Sequence, residues 1–468
     1  MSRNRPPPPI APPSDPIERA LRDAVLEAPR DDDGPRLAYA DWLLERGDPR
    51  GELIVAQCTR ARLEASGDRT SDVHRRAWRR ERKLIRTHID AWFGPYGSTR
   101  HFSGTLVRGF LGELAIAPHK LRERWPVFQH EPLETLRLTM PKHPVTVEDL
   151  RWIAAQPELR ALRQLEIVHE LGTISFDAAR LWPLLVSDVD ATGDAVDAPR
   201  LRWREAITGF VYSEGYEARP APMPSIAAIA RSLPATVRGL GVYRRDLVDA
   251  DVAPLLAGRS LEDLSLSTLE ASGVAELARA RQPALRTLWL TTASEGLDAP
   301  LADSAVLATV DVLRSSNASP ELVRSLASRR LRGLSLYGRR PRAVLAPLLA
   351  GTVVHDLEQL CLGLDVDAAT LLEGTAFRTL GRLDLDWSKL GNAGARVLAA
   401  MPELATLAEL SLQGCEIRDP GAMALLEAPF LDELVELDVR DNPIGDRTAA
   451  RLVERWPDAL VRVRRGSG

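Results

Sequence analysis

Residues 407–415 read Leu-Ala-Glu-Leu-Ser-Leu-Gln-Gly-Cys, and residues 434–442 repeat the pattern as Leu-Val-Glu-Leu-Asp-Val-Arg-Asp-Asn. Within the first stretch Leu410 and Leu412 alternate with polar residues, which predicts a short strand with one buried face. Leu407 precedes this strand and is expected to pack into the same core. Cys415 and Asn442 follow the last apolar position by three residues, where a polar side chain can bond backbone groups as the chain leaves the strand.

The same spacing of apolar residues recurs towards the N-terminus. About fourteen copies follow one another at a mean step of roughly 25 residues, which is the spacing of a repeat architecture. In reverse order the earlier copies are Leu380/Leu383/Leu385, Leu357/Leu360/Leu362, Leu331/Leu334/Leu336, Leu307/Val310/Val312, Leu285/Leu288/Leu290, Leu261/Leu264/Leu266, Val237/Leu240/Val242, Ile207/Phe210/Tyr212, Leu181/Leu184/Val186, Leu162/Leu165/Ile167, Leu133/Leu136/Leu138 and Leu111/Leu114/Ile116.

This pattern resembles the leucine-rich repeat family. The resemblance implies an α/β solenoid of the ribonuclease-inhibitor-like kind, with a curved parallel sheet inside and helices outside. The segments 392–401, 419–427 and 446–456 carry the clearest helical signals between strands. Residues 188–217 are the least regular part, and the register of the repeats between about 170 and 235 stays open.

The N-terminal part is organised differently. Residues 1–14 form a proline-rich tail, which we expect to be disordered. Asp15-Pro16 and Asp48-Pro49 each combine a helix N-cap with a proline suited to the first helical turn. These signals predict a small all-helical module over 15–96, followed by the solenoid over 97–468.

Within this module, residues 35–54 read Pro-Arg-Leu-Ala-Tyr-Ala-Asp-Trp-Leu-Leu-Glu-Arg-Gly-Asp-Pro-Arg-Gly-Glu-Leu-Ile. The stretch resembles the bacterial repeat-companion domain, a short helical module found beside leucine-rich repeats. The resemblance implies no particular chemistry. Ala38 stands where the family often has a larger apolar residue.

Composition and motifs point away from an enzyme. The formal net charge is −4 and the pI is about 6.1, so no overall affinity for polyanions is indicated. No phosphate loop, nucleophile elbow or metal-ligand spacing is present, and we expect no cofactor and no metal. Asp41 and Glu52 are the one conceivable acid pair, and capping and ion pairing explain them better. Three scattered cysteines and the lack of a long apolar stretch indicate a cytoplasmic protein without a membrane span.

A basic helix around residues 75–86 supports an alternative function in binding nucleic acid or an anionic surface. Its cationic residues are Arg75, Arg76, Arg79, Arg80, Arg82 and Lys83. A solvated outer face explains them better, and the acidic pI makes nucleic acid an unlikely partner.

The preferred hypothesis is a non-catalytic scaffold or adaptor that holds a protein partner on the concave sheet face. Side chains between the buried positions point out of that face. Those with aromatic or charged groups make up the candidate site, namely Tyr243, Trp289, Tyr337, Arg382, Asp384, Asp386, Glu409, Glu436, Asp438 and Arg440. The aromatics beside an acidic row predict a partner with a basic surface.

Overall fold

A computed structural model describes residues 15–29, 31–68, 71–93, 103–128, 131–139, 147–156, 162–169, 172–177, 207–213, 225–243, 247–338, 345, 348–351, 357–363, 367, 377, 379–457 and 459–463. The proline-rich tail and the copy at Leu181/Leu184/Val186 lie outside these residues. The chain divides into two compact units, Met1–Val211 and Tyr212–Gly468, and each is described separately.

Four helices open the first unit: α1 Pro16–Glu27, α2 Gly34–Leu44, α3 Pro49–Ala65 and α4 Asp72–Phe93. The two predicted N-caps are confirmed. The Asp15 side chain accepts a hydrogen bond from the backbone N–H of Ile17 at 2.8 Å, and the Asp48 side chain accepts one from Arg50 at 2.8 Å. Each bond satisfies a donor that the first helical turn leaves without a partner.

A hairpin that the sequence did not reveal follows these helices. Strand β1 Ser103–Val107 pairs antiparallel with β2 Phe110–Ile116. The turn uses Arg108 and Gly109, which both have positive φ, at 51° and 82°. Two left-handed residues suit the right-handed twist of a tight hairpin. A Cβ on Gly109 would also lie 2.1 Å from Cγ1 of Ile54, so the turn fits closely against α3.

The helices pack on this hairpin through a shared apolar core. Phe110 lies in one buried cluster with Tyr39, Ile54 and Cys58, and the rings of Tyr39 and Phe110 stack at 5.8 Å between centroids. Arg50 of α3 also contacts residues that follow the helices in the sequence, and its side chain is buried. Its guanidinium donates two 2.8 Å hydrogen bonds to the Glu131 carboxylate and one 2.9 Å bond to the Gly109 carbonyl. The phrase at residues 35–54 therefore supplies much of the contact between the helices and the first strands.

The rest of the first unit begins the repeats. Its elements are α5 Pro118–Phe128, β3 Thr135–Leu138, α6 Val147–Ala154, β4 Gln164–His169 and β5 Gly172–Asp177. Strands β2, β3 and β4 are parallel, with Leu114, Leu136 and Leu165 in register. Strand β5 is antiparallel to β4 and forms a hairpin where the sequence predicted only parallel strands.

Strand β6 Ile207–Ser213 spans the division between the units. The second unit then alternates strands with α-helices or 3₁₀ turns. Its strands are β7 Gly239–Tyr243, β8 Asp263–Leu269, β9 Thr287–Thr292, β10 Val312–Ser316, β11 Gly333–Tyr337, β12 Gln359–Leu362, β13 Arg382–Asp384, β14 Glu409–Ser411, β15 Glu436–Asp438 and β16 Leu460–Arg462. Its α-helices are α7 Ile226–Ser232, α8 Asp249–Leu256, α9 Ala271–Arg279, α10 Pro320–Leu326, α11 Gly391–Ala399, α12 Asp419–Glu427 and α13 Asp446–Arg455. The 3₁₀ turns are Ala299–Leu301, Ala305–Leu307, Pro402–Thr406 and Pro429–Leu431.

Strands β7 to β16 pair in sequence order, and each pair is parallel. The predicted leucines form the core beneath them. Leu264, Leu288, Leu334, Leu383 and Leu410 are in register and buried on one side of the sheet. The expected α/β repeat is thus confirmed in the second unit.

The predicted register of one copy is wrong. The sequence suggested Leu307/Val310/Val312, but β10 buries Leu313 and Ser315 instead. Ser315 is buried because its hydroxyl donates to the Asp298 carboxylate at 3.3 Å, and the same carboxylate accepts a 2.6 Å bond from the Ser319 backbone N–H. A polar side chain therefore occupies a core position that pattern reasoning reserves for leucine.

Polar side chains at the strand exits connect neighbouring repeats, as predicted for Cys415 and Asn442. The Cys415 thiol donates to the Leu385 carbonyl at 3.0 Å, and the Asn442 amide donates to the Leu412 carbonyl at 2.7 Å. Ser388 extends the series with a 3.4 Å bond to the Leu362 carbonyl. Each residue bonds the carbonyl of the preceding repeat, so these side chains fix the spacing between repeats.

Candidate functional site

The side of strands β7–β16 opposite the buried leucines is called the open face below. Pairing places one central residue of each strand in a continuous row across it. In strand order the central row is Gly241, Ser265, Trp289, Arg314, Ser335, Cys361, Asp384, Ser411, Asp438 and Arg462. Neighbouring strands are about 4.8 Å apart, so side chains along this row are within contact range of one another. Trp289, Asp384 and Asp438 lie in the row. Tyr337 lies on the same face, two residues after Ser335 along β11.

The aromatic end of the open face comprises Tyr243, Trp289, Arg314 and Tyr337 on strands β7 and β9–β11. Trp289 is 37% exposed and Tyr337 is 39% exposed. The Tyr243 and Trp289 rings meet edge to face with centroids 5.7 Å apart, and Tyr243 also accepts a 2.8 Å hydrogen bond from the Ser265 hydroxyl. Trp289 therefore points away from the core, and its ring is held by contact with Tyr243, which lies two strands away.

Arg314 was absent from the sequence-based site, because the misplaced register of its repeat concealed it. The observed register places its exposed side chain between Trp289 and Ser335. The guanidinium carbon lies 5.9 Å from the Trp289 ring centroid, within range of a cation–π contact. The correct alignment matches Val310, Leu313 and Ser315 with the leucines of neighbouring copies, and it places Arg314 on the open face. That alignment requires a serine at a core position.

The charged end of the open face lies on strands β13–β16. Two of its predicted carboxylates are buried in ion pairs, Asp438 at 3% exposure and Glu409 at 8%. Arg440 contacts Asp438 at 2.6 Å and Arg382 contacts Glu409 at 3.1 Å. Arg462 joins this group by pairing with Glu436 at 2.6 Å. The expected acidic row is therefore largely neutralised by arginines of the same face.

Ionisation at this end follows from those contacts. Burial alone would raise the pKa of Asp438, but hydrogen bonds from Arg440 hold it below its ordinary value. At Asp386 the effect of burial prevails, and the pKa of this carboxyl group is raised. Asp386 instead accepts bonds from the Ser411 hydroxyl at 2.6 Å and the Gln413 backbone N–H at 2.8 Å. Asp386 therefore orders the exits of two strands.

Another aromatic residue was missed by pattern reasoning. Trp387 is 52% exposed and follows strand β13 in a left-handed conformation, with φ of 61°. A Cβ on Gly414 would lie 2.4 Å from the Trp387 ring, so glycine at this position lets the ring lie flat over the next repeat. Trp387 sits at an exit position where the sequence pattern predicts no aromatic residue.

The thiols of the chain are poor nucleophiles. Cys58, Cys361 and Cys415 are all free, and burial raises the pKa of each thiol to about 12. Near neutral pH these thiols remain protonated, and a protonated thiol does not attack carbonyls or bind metals.

Asp41 and Glu52 do not form an acid pair. Glu52 pairs with Arg80 of α4, and a hydrogen bond from this arginine lowers the Glu52 pKa. Asp41 is exposed on α2. Among the described residues, no cluster of histidine, cysteine or carboxylate side chains is arranged to hold a metal.

Several cationic side chains of the basic helix α4 make contacts within the protein. Arg75 pairs with Asp72, and Arg80 pairs with Glu52. Arg79, Arg82 and Lys83 also have interaction partners, whereas Arg76 is exposed. The inward side of the helix carries Glu81, which bonds the Gln57 amide at 2.7 Å and pairs with Arg60 at 2.8 Å. Helix α4 thus lies on α3 through polar contacts.

Comparison with known families bears on this repeat geometry. A family model described as "Leucine Rich repeat" matches residues 403–426, the segment that contains β14 and most of α12. The chain carries leucine-rich repeats. The parallel strands and intervening helices of the second unit are accordingly the α/β architecture of a leucine-rich repeat solenoid.

Two solved structures show distant likenesses to this chain. The Rad7 and Elc1 complex from yeast aligns at 13% identity and a TM-score of 0.37, covering 91% of each chain. An internalin from Listeria monocytogenes aligns at 15% identity and a TM-score of 0.30, covering 59% of this chain and 87% of the internalin chain. No curated protein matches the chain. Within the described residues, the helices are all too short or too polar to cross a bilayer.

Proposed function

We propose that this protein is a non-catalytic cytoplasmic scaffold that holds a protein partner on the open face of its leucine-rich repeats. The observation that carries the proposal is the exposure of Trp289 and Tyr337 on a sheet face that needs neither ring for its own core. Tryptophan, tyrosine and arginine are the residues that most often dominate binding energy at protein interfaces.

The arrangement of the aromatic end supports this proposal. The Tyr243 edge contact limits the rotamers of Trp289 before any partner binds. A side chain ordered in advance loses less conformational entropy on association. The surrounding positions of the central row are short hydroxyl residues such as Ser265 and Ser335, which leave the rings accessible.

The test is a quantitative affinity capture with the full-length chain as bait. Wild type is compared with Trp289→Ala and with Val453→Ala, a control that removes an exposed apolar side chain from helix α13. We expect a set of proteins to be recovered by wild type and Val453→Ala and to fall at least about tenfold with Trp289→Ala, since truncating an interface anchor costs about 2 kcal/mol or more. Equal recovery by all three proteins would refute a role for the open face.

Binding of nucleic acid through α4 is the less favoured function. Arg75 and Arg80 are engaged with carboxylates, and phosphate binding would have to displace those pairs. Charge reversal at Arg76, Arg79 and Arg80 provides the test, measured as binding of duplex DNA against salt concentration. Tight binding at low salt that these changes abolish would place this function first.

We also propose that the repeat-companion-like helices 15–96 act as the N-terminal cap of the repeats. A solenoid needs a terminal element that covers the apolar edge of its first repeat. The burial of Phe110 beneath Tyr39 and the burial of Arg50 against Glu131 support this role. The recognisable phrase at residues 35–54 would then be a capping signature.

A further inference from the structure

The geometry points to the class of partner: we infer that the open face binds a peptide segment in which an Asp or Glu carboxylate, held by Arg314, neighbours an apolar side chain packed on Trp289. This inference rests on the proposed function and reverses the charge that the sequence suggested for the partner. The contact residues on this protein are Trp289, Arg314, Ser335 and Tyr337.

The first support is the distribution of ion pairs along the open face. On strands β13–β16 every arginine of the face has a carboxylate partner: Arg382 pairs with Glu409, Arg440 with Asp438, and Arg462 with Glu436. Among the described arginines of the open face, Arg314 is the one for which no ion pair exists. An exposed guanidinium in this position has hydrogen-bond donors available to an incoming carboxylate.

The second support is what surrounds Arg314. Its guanidinium stands 5.9 Å from the Trp289 ring on one side and adjoins Ser335 on the other. It also approaches Tyr337 closely enough for its charge to act on the phenol, whose pKa is raised chiefly by burial. A planar guanidinium beside an aromatic ring can keep its donors directed outward, and a carboxylate can accept two of them in parallel. The rings beside it provide apolar surface for the next side chain of the peptide.

The third support is that this face suits a single carboxylate rather than a polyanion. Nucleic-acid strands are held by grooves in which several unpaired cations follow the backbone. Here Arg314 is followed along the central row by the carboxylates of Asp384 and Asp438. Repeated phosphates would meet these acidic groups, whereas one carboxylate at Arg314 lies about three strand spacings, or roughly 14 Å, from Asp384.

The experiment uses a random peptide display library panned on the full-length protein, with wild type, Trp289→Ala, Arg314→Gln and Arg314→Glu as targets. We expect wild type to enrich peptides that carry Asp or Glu next to an aromatic or aliphatic residue. Arg314→Gln should weaken a synthetic copy of the best such peptide about tenfold or more, as expected for loss of a charge-assisted hydrogen bond. Arg314→Glu should instead enrich peptides with Lys or Arg at the same position.

The outcomes separate this inference from the proposed function. Enriched peptides that depend on Trp289 but bind equally well to Arg314→Gln would refute the carboxylate assignment and leave the scaffold proposal standing. Peptides that ignore both substitutions, or no enrichment at all, would overturn both. Binding of single-stranded oligothymidine that is lost with Arg314→Gln would show that this face takes phosphate and would overturn the peptide assignment.

Discussion

Arg50 and Arg314 are the same residue type in opposite circumstances. Arg50 lies buried between the N-terminal helices and the first repeat, where Glu131 and the Gly109 carbonyl accept its hydrogen bonds. Arg314 lies exposed on the open face beside Trp289, and no carboxylate of the described chain pairs with it. The buried arginine between the helices and the first repeat is therefore paired with a carboxylate of this protein. The exposed arginine lies where we expect a partner to supply the carboxylate.

The two environments also differ in what a substitution should cost. A buried arginine must keep its carboxylate, because losing one partner leaves an uncompensated charge away from water. Burial alone would lower the pKa of Arg50, and the pair with Glu131 holds it above its ordinary value. An exposed arginine without a carboxylate partner contributes little to folding. Substitutions at buried paired residues should therefore destabilise the protein much more than substitutions on the open face.

The largest effect is expected from adjacent residues on opposite faces of strand β9. Leu288 is fully buried, so Leu288→Asp places a charge in the repeat core and should lower the free energy of unfolding by about 4 kcal/mol or more. Trp289→Asp, one residue later, should cost about 1 kcal/mol or less because the open face is solvated. Urea unfolding followed by circular dichroism measures both. Equal losses would contradict the assignment of the two faces.

The next effect concerns the ion pair of Arg50 and Glu131. Arg50→Met and Glu131→Leu should each lower the free energy of unfolding of the first unit by about 3–5 kcal/mol, because each removes the ion pair and leaves a buried charge uncompensated. The double variant Arg50→Met with Glu131→Leu should lose less than the sum of the single changes. Hydrogen exchange of residues 103–116 reports the effect locally. Additive losses would show that the two side chains are not coupled.

Smaller losses are expected at the strand exits. The Asn442 amide donates to three carbonyls, those of Leu412, Val439 and Arg440, and Asn442→Ala should cost about 1–3 kcal/mol by leaving buried carbonyls unpaired. Ser388→Ala removes one longer hydrogen bond at the equivalent position, so its loss of stability should be smaller than that of Asn442→Ala. Thermal unfolding of both variants checks the order. A larger loss for Ser388→Ala would contradict the proposed role of these bonds in spacing the repeats.

The contribution of Asp438 should depend on pH. Its pKa is lowered in the folded protein, so its ion pairs stabilise the fold above the ordinary value of 3.8 and lose their effect as the pH falls through the lowered value. Asp438→Asn should therefore reduce stability at neutral pH by about 1–2 kcal/mol and make little difference in strong acid. Denaturant midpoints against pH measure this. A pH-independent difference would mean that Asp438 acts through packing alone.

The smallest effect on stability is expected at Arg314 itself. Arg314→Gln should change the free energy of unfolding by no more than about 0.5 kcal/mol, since Arg314 makes no ion pair or side-chain hydrogen bond within the described part of the chain. Arg382→Gln is the matched control, because it removes the ion pair to the buried Glu409 carboxylate and should cost more. An equal loss of unfolding free energy for Arg314→Gln and Arg382→Gln would contradict the distinction between paired and unpaired arginines.

Some features were predictable because they depend on local spacing alone. The leucines at 383, 410 and 437 lie in one register, and the N-caps Asp15 and Asp48 bond as expected. The β1–β2 hairpin was missed because its turn is Arg108-Gly109, which lacks the asparagine or aspartate that usually indicates such a turn in a sequence. The register at β10 was missed because Ser315 is buried on account of Asp298, a residue far outside the repeat phrase.

The repeat, the buried face of the strands whose core positions are leucine, and the position of Trp289 and Tyr337 on the other face followed from the sequence, because strand periodicity sets these properties residue by residue. Strand β10 is the exception, since Ser315 occupies one of its core positions. The tertiary structure alone decided which charges remain available. Asp438 and Glu409 are neutralised by arginines from their own or neighbouring strands, and Arg314 meets no carboxylate on either side. Ion pairing depends on distances between repeats rather than within one, and those distances arise only when the strands are stacked.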